Sequence, residues 1–289
     1  MLEAPTLDLL LKRDRAITIA GLIVLCVLAW LYILSGAGLG MSMGEAARVS
    51  LFPHLSAPTP MAGMPDMPGM DMGAMDMAPA PAAAWAVDRW ALMLAMWWIM
   101  MIAMMTPAAA PAILLYAHVH RHALAQGQVG DKLAPTGAFA AGYLLAWLGF
   151  ALAAVTLHWL LERAGLVSAM GSQSKWLSGG VLLAAGLYQL SPLKNLCLSH
   201  CRAPAEFLSR HWRPGAAGAL RLGAVHGAYC VGCCWMLMAL LFVGGAMNVV
   251  WIAALAVLVL IEKALLAGEW VGRAAGVALI AWGAATFAT

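Results

Sequence analysis

Residues 90–116 read WALMLAMWWIMMIAMMTPAAAPAILLY, a stretch of 27 residues without one formal charge. As a helix rising 1.5 Å per residue it would reach about 40 Å, more than the roughly 30 Å hydrocarbon core of a bilayer. The stretch is rich in Ala, Leu and Met and does not alternate polar with apolar, so it does not read as a strand. Six more apolar runs follow the same rule: Ala16–Leu34, Thr136–Leu161, Trp176–Leu193, Leu222–Gly245, Asn248–Ile261 (extended to about Ala267) and Trp270–Phe287. The run at Trp176–Leu193 is marginal in length for a span and contains Gly179, Gly180 and Gly186.

Composition agrees. The 289 residues are 64% hydrophobic and 10% charged, with a mean hydropathy of +0.86. Soluble domains carry roughly 25% charged residues, so most of this surface is not built to face water. The expected fold is therefore all-α: a polytopic membrane helix bundle of about seven transmembrane helices. Placing the N-terminus in the cytoplasm puts 12 of the 16 Lys and Arg residues on the inner side, among them Lys12, Arg13, Arg15, Arg202 and Lys263. Arg48, Arg89, Arg163 and Lys175 stay outside, as the positive-inside rule favours. The net charge of +3 then describes orientation, and nothing points to nucleic acid as a partner. The first apolar run follows Lys12, Arg13 and Arg15 as a signal peptide would, but its 19 residues exceed a usual h-region and read better as an uncleaved anchor.

Three regions result: an N-terminal tail and anchor helix (1–34), a Met-rich outer loop (35–88) and a six-helix membrane domain (89–289). The loop contains MAGMPDMPGMDMGAMDM. It spaces Met61, Met64, Met67, Met70, Met72, Met75 and Met77 two or three residues apart, with Asp66, Asp71 and Asp76 between them. Thioether sulfur is a soft neutral ligand suited to Cu(I), and it binds without losing a proton. Loop methionine gains nothing from core packing; the plain alternative is a low-complexity tether.

In the second run Met93, Met96, Met100 and Met104 share a narrow helical arc, with Met101 and Met105 beside it. Taken alone, such a stripe is more often core filler than ligand. The fifth run holds HGAYCVGCCW, which puts His226, Cys230 and Cys233 on one face and Cys234 at its edge. Such spacing can supply one or two soft-metal sites. A CxxC disulfide competes, but the cluster lies toward the reducing side. After the fourth run, LKNLCLSHCR places Cys197, His200 and Cys201 at i, i+3 and i+4, a second candidate ligand face whose plain alternative is reduced surface thiols. Two soft clusters at one membrane face favour metal. His118, His120 and His122 form a weaker set, while His54, His158 and His211 read as structural or solvated and Cys26 as packing. Glu262 and Lys263 are expected to pair with each other near the interface.

The segments MMIAMMTPAAAPAILLY, YQLSPLKNLCLSHCR and GAYCVGCCWMLMALLFVGGAMN, with Ile261-Glu262-Lys263, resemble a bacterial family of predicted metal-binding integral membrane proteins. Some of its members are implicated in supplying copper to polyphenol oxidases. The resemblance runs from about Trp90 to Lys263. It implies that Cys197, Cys201, Cys230, Cys233 and Cys234 form the family's cysteine blocks, and that Met100, Met101, Met104 and Met105 form its double-Met motif.

The expected protein handles copper in the bacterial inner membrane, with the Met loop in the periplasm. It binds Cu(I) through Met, Cys and His for transport or for delivery to a cuproenzyme or copper chaperone partner. Zinc is the alternative ion, served by Cys and His but not helped by Met. A membrane metal- or thiol-dependent oxidoreductase and a structural subunit of a larger complex are the alternative functions. No P-loop, nucleophile elbow or intramembrane acid pair is present, so an enzyme is not expected.

Overall fold

The computed structural model describes residues 4–37, 85–127, 135–168, 171–265 and 267–288. The loop ligands Met61, Met64, Met67, Met70, Met72, Met75 and Met77 lie outside the described residues, as does His54. Ten helices follow in chain order: α1 (Ala4–Leu34), α2 (Val87–Ala125), α3 (Pro135–Arg163), α4 (Lys175–Gln189), α5 (Pro192–Arg202), α6 (Pro204–His211), α7 (Gly215–Ala239), α8 (Leu241–Gly244), α9 (Val249–Ala264) and α10 (Gly268–Ala288). Among the described residues the only extended pairing is an isolated bridge between Val167 and Ser172.

Five helical segments are long and apolar enough to cross a membrane: Arg15–Leu34, Val87–Leu124, Thr136–Arg163, Gly215–Gly244 and Gly268–Ala288. A sixth is obtained if α4 and α5 count as one span bent by 61°. The expected seven also included α9, whose 16 residues fall short of the roughly 20 a straight span needs.

The fourth apolar run is not one helix, and its break has a local cause. Pro192 has no N–H to donate back into α4. It instead opens α5 from the first turn, where the Ser191 hydroxyl caps the chain by accepting from the Lys194 N–H at 3.2 Å. Pro107 and Pro111 act differently: α2 runs through both without interruption.

Two helix pairs set the frame. The first is α3 beside α7, running parallel, because Phe139 faces Gly223 while Tyr143 and Ala146 face Gly227. A Cβ on Gly223 would stand 1.9 Å from the Phe139 carbonyl oxygen, and one on Gly142 would stand 2.0 Å from that of Leu220. Only glycine allows this approach, the small-residue packing by which helices associate in lipid. The second pair is α4 against α10, antiparallel, with Gly186 on Gly276 and Gly179 under Phe287. At one end of the bundle Arg89 ties α2 to Glu162 of α3 at 2.8 Å. α1 packs on α2 alone among its large neighbours and leaves Ile17, Ile23, Leu28 and Leu31 exposed.

Exposed apolar residues ring the molecule, including Leu152, Leu187, Leu196 and Val277. Cations lie over tryptophan rings near the helix ends: Arg89 on Trp85, Arg163 on Trp159, Lys175 on Trp176 and Arg273 on Trp270. That is how side chains anchor helices at a membrane–water boundary.

The α3–α7 contact gives a direct test. Gly223→Val forces two backbones apart and should destabilise the protein by about 1–3 kcal/mol or more. Gly149→Ala, where an added Cβ meets nothing within 4 Å, should stay within about 0.5 kcal/mol. Thermal unfolding in detergent reads both.

Candidate metal centre

Cys230 is the point where five helices meet. It sits on the buried face of α7, four residues after His226. Its Sγ lies 3.1 Å from the Tyr143 hydroxyl of α3 and accepts from the Lys263 ammonium of α9 at 2.8 Å. One turn on, Cys234 points its thiol at the Met105 sulfur of α2, 3.9 Å away. Cys201 of α5 completes the convergence, lying close enough to Cys230 and Cys233 to interact with both. The two cysteine blocks therefore form one cluster. Met105 reaches it because α2 and α7 bring these residues to one level of the bundle, as their distances from the helix ends allow.

The remaining candidates fall into place around this core. Cys197 lies against Gly232, where a Cβ would sit 2.9 Å from its sulfur. Met100, Met101 and Met104 are buried in the common core with Met93 and Met96. His226 is enclosed by Phe139, Tyr143 and Phe207, with ring centres 5.3 to 6.1 Å away. Its Nδ1 is buried without a hydrogen-bond partner, an orphan that a soft cation would satisfy. His200, on the expected ligand face, stacks flat on Tyr229 with ring centres 4.1 Å apart. The HVHRH set separates as well. His120 is buried and stacks on Tyr116, whereas His118 and His122 are exposed on the other side of α2. His158 is buried near Trp85, Trp97 and Phe242, in keeping with a structural role. Cys26 packs in the groove between α1 and α2.

Among the described residues, no group of three or more His, Cys, Asp or Glu is placed so that it could hold a metal ion. The reason lies in where the thiols point. Cys233 and Cys234 both donate to the Cys230 carbonyl, at 3.1 and 3.0 Å, and the cation at the centre is Lys263. All six cysteines are free thiols.

Lys263 was missed by the expectation that it pairs with Glu262. The two are neighbours on a helix, so they point about 100° apart and serve different partners. Glu262 receives Lys194 of α5 at 2.7 Å on both carboxylate oxygens, and each side chain is only 2% exposed. Gln189 joins them, donating to Glu262 at 2.5 Å and accepting from Lys194. Arg202, at the far end of α5, donates to the Glu262 and Leu265 carbonyls and pairs with Glu269. These contacts tie α5, and with it Cys197 and Cys201, to α9 and α10. Ionisable residues inside an apolar run are the sequence signal that could have found them.

A bundle of long apolar helices with thiols, a thioether and an orphan imidazole converging in its interior defines a helical protein that handles a soft metal. The sequence pattern of the PpoB2 copper chaperone family matches residues 94–286, which takes in every helix of this convergence, and the chain belongs to that family. No curated protein and no solved structure matches the chain at a significant level.

The buried pair yields a cycle. Glu262→Gln leaves Lys194 charged and unmatched and should cost about 3–5 kcal/mol. The double variant Lys194→Met, Glu262→Gln should recover most of that loss. Chemical or thermal unfolding of the three proteins measures it; equal losses in single and double variants would show that the charge pair is not what holds α5.

Proposed function

We propose that the protein is a membrane-embedded Cu(I) carrier that delivers its ion to a copper-dependent enzyme or to a second carrier, and that it is not itself an enzyme. The observation that supports this most is the convergence of Cys201, Cys230, Cys233 and Cys234 with Met105, drawn from three separate helices. Thiolate and thioether donors select soft ions such as Cu(I). Cys201, Cys230 and Cys233 are the expected primary ligands, with Cys234, Met105, Cys197 and His226 in reserve around them. Met100, Met101 and Met104 line the route on α2, and Met64, Met67, Met70, Met72, Met75 and Met77 of the loop would gather Cu(I) on the periplasmic side.

The seven crossings of a bacterial inner membrane are supported by helix directions, and the cytoplasmic N-terminus by the bias that puts 12 of the 16 Lys and Arg residues on that side. α3 and α7 are parallel and α4 and α10 antiparallel, as a serpentine path through seven crossings requires. The crossings are also supported by the tryptophan–cation pairs at the helix ends. In this orientation the thiol cluster lies in the inner half of the bundle, near α5 and α6. A cation among the thiols offsets the charge that their deprotonation would place in a low-dielectric interior. Lys263 does this before loading and Cu(I) after.

Zinc prefers four ligands in a tetrahedron and gains little from thioethers. Protein purified anaerobically in detergent, after growth with both metals, should carry copper at about one or more ions per chain by elemental analysis. A Cys230→Ser, Cys233→Ser variant should lose it. Zinc in place of copper would overturn the choice of ion, and equal copper in the variant would overturn the site.

A further inference from the structure

His200 and His211 border the same cavity, about 200 Å³ in volume, together with Ser199, Glu206 and Phe207. The two imidazoles are held alike. His200 Nδ1 lies 2.9 Å from the Leu196 carbonyl, and His211 Nδ1 lies 3.0 Å from the Phe207 carbonyl. A carbonyl oxygen can only accept, so each Nδ1 carries the proton and donates it. In the neutral ring this leaves the Nε2 lone pair as the free donor on both residues. A ligating histidine is prepared in the same way, with its second nitrogen donating to a backbone carbonyl that fixes tautomer and ring direction.

Aromatic packing fixes the rings further. His200 lies on Tyr229 with the planes 2° apart, and His211 stacks on Phe207 with ring centres 4.9 Å apart. Phe207 meets Tyr229 edge-on, so both histidines rest on one aromatic wall. The nearby carboxylate of Glu206 is engaged by Arg210 at 2.6 Å, which leaves the imidazoles as the free donors of the cavity. His211 is exposed and His200 half-buried, so this cavity meets solvent, whereas Cys230, Cys233 and Cys234 are buried.

The cavity stands beside the thiol cluster for a reason visible in the chain. His200 precedes Cys201 on α5, and Tyr229 precedes Cys230 on α7. One turn of each helix thus presents a thiol inward and a ring outward. We infer that His200 and His211 form a two-imidazole port for Cu(I), the solvent-facing station at which the ion enters or leaves the thiol cluster. Cu(I), a d¹⁰ ion, accepts two donors, and imidazole is among the ligands that suit copper. Neutral imidazoles should hold it less tightly than thiolates, as a transfer station requires. The inference rests on the copper-carrier reading and adds a separate site to it.

The test uses the full chain in detergent, titrated anaerobically with Cu(I) against a chromogenic Cu(I) chelator, with X-ray absorption to read donor type. Wild-type protein should show a tight sulfur-bound ion and a weaker nitrogen-bound one. In the Cys230→Ser, Cys233→Ser variant the nitrogen-bound ion should remain. In a His200→Gln, His211→Gln variant the weaker ion should bind about tenfold less tightly or worse, with the sulfur-bound ion unchanged. A weaker site untouched by the histidine changes, or no nitrogen-bound copper in any variant, would overturn the port and leave the thiol site standing. A wild-type protein that binds copper through nitrogen alone would uphold the port and overturn the thiol site.

Discussion

The contact between the Lys263 ammonium and the Cys230 sulfur, 2.8 Å long, is the constraint around which the bundle is arranged. A group of thiols in an apolar interior is costly to ionise alone, and a buried ammonium is equally costly without a partner. Each makes the other tolerable. For them to meet, α9 must end at the level of the cluster, which its short 16-residue length achieves. α3 must also approach α7 closely enough for the Tyr143 hydroxyl to reach the same sulfur, and Gly223 and Gly227 permit that approach. The glycine-lined crossing and the short ninth helix are thus two consequences of one site.

The second constraint is the position of α5. It carries Cys201 to the cluster and His200 to the neighbouring cavity, yet the break at Ser191-Pro192 cuts it free of α4. What holds it is electrostatic: Lys194 near its start and Arg202 at its end both grip the Glu262 region of α9. Because Glu262 and Lys263 are adjacent, the segment of α9 that fixes α5 also supplies the cation to the thiols. Displacement of Lys263 by an incoming ion would therefore be felt where α5 is held. Copper loading and the placement of Cys201 share one structural element.

Much of this was legible in the residues. The long uncharged runs predicted the helices, and HGAYCVGCCW and LKNLCLSHCR predicted the cysteine blocks. What periodicity cannot express is which helices are neighbours. Convergence of two blocks about 30 residues apart depends on the packing of α3 on α7 and on the bend at Pro192, both tertiary facts. For the same reason Glu262 and Lys263 were read as a local pair. Adjacent residues on a helix diverge, and only the positions of α5 and α7 decide what each one meets. His211 stood alone in sequence and gained its relation to His200 only when α6 folded back beside α5.

The chemistry of the centre also bears on what it rejects. Hard divalent cations need carboxylate or carbonyl oxygens, several at a time. The Glu262 carboxylate, adjacent in sequence to Lys263, has both of its oxygens held by Lys194. Cys230 instead faces sulfur, a phenol and an ammonium. A divalent ion would also have to enter beside the positive charge of Lys263, at a greater electrostatic penalty than a monovalent ion bears at the same distance. Softness of the donors and the resident positive charge thus act in the same direction. In the proposed function they would favour a soft monovalent cation, the form in which copper is best matched to thiol and thioether ligands.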